Sequence, residues 1–99
     1  MSKTFKPKFV ILISGRGSNM QSIINAIQSD ELDAEVTAVI SNRPDAAGLM
    51  FARNAGIANE ILDHKNFTTR EAFDEELMQL IDSFDPDYVV LAGFMRILS

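Results

Sequence analysis

Residues 9–13, Phe-Val-Ile-Leu-Ile, form an unbroken apolar run that ends abruptly in Ser14-Gly15-Arg16-Gly17-Ser18-Asn19. The run is too short for a helix, and without polar alternation it reads as a strand buried on both faces, as parallel strands between two helical layers are. Met20, Ile23, Ile24 and Ile27 then follow the i, i+3, i+4, i+7 spacing of an amphipathic helix. Strand, glycine-rich turn and helix in this order open a nucleotide-type βαβ unit. Gly15 and Gly17 let the backbone turn tightly and bring its N–H groups close to a guest. Ser18 or Asn19 is expected to cap the helix, whose N-terminus favours an anion by roughly 0.3–1 kcal/mol. A phosphate is the guest this chemistry suits; the alternative is a tight turn with no ligand.

A dinucleotide fits less well. After Gly15-x-Gly17 the fingerprint needs Gly or Ala at position 20, where the chain has Met20. The second strand should end near an acid that holds a ribose hydroxyl, but it ends in Ile40-Ser41-Asn42-Arg43, which argues against NAD. Arg43 leaves open a 2′-phosphate, and hence NADP.

With 99 residues, 46% of them apolar, the chain makes one domain with a real core. A net charge of −5 and a pI near 4.6, with no cluster of Lys or Arg to offset them, exclude DNA or RNA as a main partner. The absence of cysteine removes disulfides, thiol nucleophiles and Cys-based zinc sites, and suits a cytoplasmic protein. The basic residues 1–8 precede only five apolar ones, so neither a signal peptide nor a membrane span is expected.

The same unit recurs along the chain. A first helix over residues 19–29 breaks at Asp30-Glu31, and residues 34–40 read as a second strand. Asn42-Arg43-Pro44-Asp45 is turn chemistry, and the alanine-rich residues 46–55 form a short helix that stops at Gly56. Residues 57–62 supply a weak third strand and residues 63–67 a loop. Thr68-Thr69-Arg70-Glu71 has the spacing of a capping box, and Phe73, Leu77, Leu80, Ile81 and Phe84 give the third helix its apolar stripe. Asp85-Pro86-Asp87 ends it, and residues 88–92 read as a fourth buried strand.

Such alternation implies a three-layer α/β fold, a Rossmann-like parallel sheet of strand order 3-2-1-4. The switch point then falls between the first and fourth strands, flanked by residues 15–19 on one side and 93–98 on the other. Catalytic groups are scarce. His64 follows the third strand, two spacings from the first and so about 10 Å or more from that crevice, and reads as a solvated loop residue. The carboxylates of Glu71, Asp74, Glu75, Glu76 and Asp82 have the pattern of a solvated helix face, and no metal-ligand cluster stands out.

The segments I-L-I-S-G-R-G-S-N-M-Q-S-I-I (11–24), S-N-R-P-D-A-A-G-L (41–49), A-G-I-A (55–58), R-E-A-F-D-E-E-L (70–77) and D-Y-V-V-L-A-G-F-M-R-I-L-S (87–99) together closely resemble the phosphoribosylglycinamide formyltransferase family. Members of that family, the folate-dependent glycinamide ribonucleotide transformylases of purine synthesis, move a formyl group from 10-formyltetrahydrofolate to the amine of glycinamide ribonucleotide. The resemblance implies that Gly17, Ser18 and Asn19 hold the substrate's phosphate. It also implies that Arg70 meets the glutamate carboxylate of the folate, and that Met95, Arg96, Ile97 and Leu98 line the pterin pocket. Without the resemblance, Phe94, Met95, Ile97 and Leu98 read as the start of another core segment.

Family members run on for about as many residues again, and the Asn, His and Asp that stabilise the tetrahedral intermediate and shuttle protons lie in that extension. Residues 1–99 are therefore expected to be a nucleotide-binding N-terminal domain with no catalytic residue of its own, inactive alone and prone to self-associate through an exposed fourth strand. Two alternatives remain. One is a formyltetrahydrofolate deformylase, a sister family against which S-G-R-G-S-N speaks; the other is a non-catalytic phosphate-binding or assembly module.

Overall fold

The computed structural model describes residues 6–15 and 17–92. Four strands, β1 (Lys8–Ile13), β2 (Glu35–Ser41), β3 (Ala58–Ile61) and β4 (Tyr88–Leu91), form one sheet in the order β3-β2-β1-β4, every neighbouring pair parallel. The expected strand order is therefore the observed one. Val10 to Ile13 of β1 are wholly buried, which their position between two neighbours and two helical layers demands.

Alternate residues of β1 face different layers. Ile11 and Ile13 join Val39 of β2 against Met20 and Ile24 of α1 (Ser18–Gln28) and Leu49 and Ala52 of α2 (Ala47–Asn54). Val10 and Leu12 join Ala38 and Ile40 against Phe73, Leu77 and Ile81 of α3 (Arg70–Ser83). The stripe read from the sequence is the face α3 buries, with Leu80 and Phe84 half-buried at its margin. Phe67 meets Phe73 edge to face, ring centroids 5.6 Å apart, and closes the loop over this layer.

Helix ends show where local chemistry departs from expectation. All three helices stop in a residue of positive φ just beyond the C-cap: Asp30 at 65°, Gly56 at 77° and Asp85 at 50°. The left-handed residue lets following N–H groups reach back to free carbonyls, as Glu31 N does to Ala26 O at 2.8 Å and Ile57 N to Ala52 O at 2.9 Å. Glycine is needed for this at 56 by preference only, since aspartate tolerates the conformation at 30 and 85.

At the start of α3 the cap is Thr69, whose Oγ1 accepts from Ala72 N at 3.1 Å. A capping box from Thr68 to Glu71 is thus corrected by one residue: Glu71 lies in the first turn, where it favours the helix dipole, but is not three residues past the cap.

The fourth strand is the exposed edge that the strand order implies, but its reading as a buried strand is corrected: Tyr88 is 60%, Val89 42% and Leu91 59% exposed, and within the strand only Val90 packs against the core. An apolar run sets what a strand can bury, but its place in the sheet sets what it does bury.

Candidate phosphate-binding site

The glycine turn sits where β1, central in the sheet, hands over to α1. Gly17 is the N-cap of α1, in the left-handed region at φ 69°, and no side chain caps the helix. This corrects the expectation that Ser18 or Asn19 serves as cap: both are inside the helix, exposed, as its first two residues. The first intrahelical bond runs from Gln21 N to Gly17 O at 2.8 Å. The first turn carries no acidic residue either. By contrast α3 has both Thr69 and Glu71 at its start; α2 also lacks a side-chain cap and a first-turn acid, but its Gly48 N is already given to Gly15 O, so α1 offers an anion the better-prepared helix end.

The two glycines have different roles. A Cβ on Gly17 would stand 3.1 Å from Met20 Cε and 3.5 Å from Ile13 Cγ2, in a conformation L side chains avoid. A Cβ on Gly15 would meet nothing within 4 Å, and its φ is not positive. The tight turn therefore rests on Gly17, while Gly15 leaves open space above the backbone.

The loop after β2 abuts this turn. Ser14 Oγ donates to Asn42 Oδ1 at 2.7 Å, and Asn42 N donates to Ile13 O at 3.3 Å. Gly48 N, in the first turn of α2, donates to Gly15 O at 3.1 Å. Ser41 Oγ donates to Arg43 O at 2.8 Å and accepts from Arg43 N at 3.0 Å, folding the loop back on itself. Ser14, Ser41 and Asn42 are buried together at the carboxyl ends of β1 and β2. In the sequence Ser14 belongs to the glycine-rich turn, Ser41 to the end of the second strand and Asn42 to turn chemistry, with no expectation of joint burial; the available signal is that Ser14 and the pair Ser41-Asn42 each directly follow a buried apolar run.

Arg43, weighed as a reader of a 2′-phosphate, directs its guanidinium to its own loop, with Nε and Nη2 each 3.2 Å from the carboxylate of Asp45. Its fork is thus already matched to a carboxylate.

Arg70 is the first residue of α3, exposed, on the face of the sheet opposite α1. Crossover helices return antiparallel to the strands, so Arg70 and Gly17 share the carboxyl end of the sheet, where the crevice of an open α/β sheet lies. Met95, Arg96, Ile97 and Leu98 lie outside the described residues, as does Arg16. His64 opens a short 3₁₀ turn, His64–Asn66, after β3, at the sheet edge away from β4. Among the described residues no three His, Cys, Asp or Glu side chains group as metal ligands would.

Residues 7–99 match the family model described as formyl transferase. The chain belongs to the formyl transferase family. Among curated relatives of the family, phosphoribosylglycinamide formyltransferase of Escherichia coli K12 is 56% identical over 90 residues, covering 91% of this chain and 42% of that protein. The solved structure of phosphoribosylglycinamide formyltransferase from Coxiella burnetii superposes with a TM-score of 0.92 at 48% identity, over 96% of this chain and 44% of that one. A weaker likeness, TM-score 0.84 at 25% identity, joins it to a formyltetrahydrofolate deformylase of Pseudomonas putida KT2440, covering 99% of this chain and 34% of that one. The chain thus spans less than half the length of these formyl transferase relatives.

Proposed function

We propose that residues 1–99 are the nucleotide-binding N-terminal domain of a phosphoribosylglycinamide formyltransferase, which transfers a formyl group from 10-formyltetrahydrofolate to glycinamide ribonucleotide. In this reading Gly17, Ser18 and Asn19 hold the ribonucleotide phosphate, Arg70 pairs with the glutamate carboxylate of the folate, and Met95, Arg96, Ile97 and Leu98 line its pterin pocket. The observation that carries it is the start of α1, a helix end with no side-chain cap and no acid in its first turn, set at the carboxyl end of the central strand. Backbone donors there suit a phosphate dianion despite the net charge of −5, because the interaction is short-ranged and local.

Formyl transfer passes the amine through an intermediate that carries an oxyanion, so it needs an oxyanion donor and an acid-base group, each worth roughly two or more powers of ten in rate. By family resemblance these come from outside residues 1–99, whose part is to bind and orient. We assign the chain to the cytoplasm; among the described residues no helix is long and apolar enough to cross a membrane. Its exposed β4 edge suits pairing with another copy.

Titration with glycinamide ribonucleotide, followed through the amide resonances of residues 17–19, tests the reading. Saturable shifts that vanish in Gly17→Val support it, and an unchanged spectrum overturns it. Folate binding without ribonucleotide binding would instead favour a deformylase, the alternative that the fold likeness supports. In a turnover assay the 99-residue chain is expected to be silent alone and active when the remaining part of a homologous enzyme is added in trans.

A further inference from the structure

Two loops at the carboxyl end of the sheet are tied by contacts that no ligand role explains. Ser14 and Asn42 are 3% and 4% exposed, so their short hydrogen bond is made away from water, where an unmet hydroxyl or amide is costly. Each follows the last paired residue of its strand, Ile13 of β1 and Ser41 of β2, so the sheet fixes the chain up to them and these contacts carry it beyond the ladder. The second tie, Gly48 N to Gly15 O, uses a free N–H of α2's first turn to hold the residue two before the αL cap. A third closeness lies between them: the Cβ position of Gly17 is 3.6 Å from Gly48 Cα.

We infer that Ser14 and Asn42 are positioning residues for the phosphate loop, forming with the Gly48–Gly15 bond a clasp that fixes the aim of the backbone at residues 17–19. The inference rests on the phosphate site proposed above. The clasp acts on binding because the loop's donors are backbone groups, whose direction no rotamer change can correct; only the path of the chain from Ile13 to Gly17 sets it. Ser41 contributes from the other side, its hydroxyl turning the β2 loop so that Asn42 faces inward.

The test is a titration with inorganic phosphate at fixed pH, with amide exchange at Gly48 recorded in parallel. In the wild-type chain phosphate is expected to slow exchange at Gly48, because binding and clasp closure are linked in both directions. Ser14→Ala and Asn42→Ala are each expected to weaken phosphate binding about three- to tenfold, the range of a lost hydrogen bond, and to speed exchange at Gly48. The double variant is expected to bind no more weakly than either single one. Exchange at Gly48 indifferent to phosphate in the wild type overturns the clasp without recourse to any variant. Variants that melt earlier yet bind phosphate as the wild type does also overturn it, leaving the pair a purely structural role. A wild type with no phosphate-dependent shifts removes the site reading itself, and the clasp with it.

Discussion

At Gly17 the backbone stands at φ 69° and the nearest side-chain atom, Met20 Cε, would lie 3.1 Å from an added Cβ. Alanine there is expected to cost about 1–2 kcal/mol from the left-handed conformation alone, with more if Met20 cannot shift. Gly15→Ala, exposed and with open space around its Cβ position, is expected to stay within about 0.5 kcal/mol of the wild type. Urea denaturation of the two variants measures both, and equal losses would refute the division of labour between the glycines. The sequence treats these residues alike because spacing marks a turn without saying which residue carries its positive φ. Ser14 and Asn42 were illegible for a related reason: a polar residue after a strand usually meets solvent, and these are buried only because the register pairs Ile13 with Ser41, a non-local fact.

Among the elements, α3 was the most legible, since its stripe of Phe73, Leu77 and Ile81 recurs every four residues and tertiary contacts agree with it. Its start was less so, because two adjacent threonines both suit a cap and only the hydrogen bond to Ala72 N chooses Thr69. Thr69→Ala is therefore expected to lower stability by about 0.5–2 kcal/mol, while Thr68→Ala stays within about 0.5 kcal/mol; thermal melts of the pair decide, and a reversed order would restore the capping box. Phe73→Ala, removing a wholly buried ring that faces Val10, Leu12 and Phe67, is expected to cost about 3–5 kcal/mol. That loss should unfold much of the chain, given the modest stability of a domain this size.

For the whole molecule the strand order followed from alternation, handedness and the commonest doubly-wound arrangement, and with it the edge position of β4, but how the two edges differ in charge and burial needed the structure. At one edge β3 carries Glu60, a charge that discourages pairing with another chain. At the other, β4 reads Tyr-Val-Val-Leu with no charge, and its start is tied to β1 by Lys8 N to Asp87 Oδ2 and Asp87 N to Lys8 O, both 2.8 Å. Beside it Met78 of α3 is 51% exposed and shares a groove with Val89, Ile81 and Pro86 that Asp82 and Asp85 also line. An uncharged edge with exposed apolar side chains is a template for a further strand, and in a solution of the 99-residue chain the available strand is another copy. Four residues of edge bury well under the roughly 800 Å² per partner of a stable interface, so the association is expected to be weak, visible at high micromolar concentration and absent at low. Sedimentation over that range should show mass rising with concentration, and Leu91→Lys or Val89→Lys should return it to monomer while leaving phosphate titration at residues 17–19 unchanged. A wild type that stays monomeric throughout would show that β4 is not an adhesive edge, and a lysine variant that still associates would move the contact elsewhere.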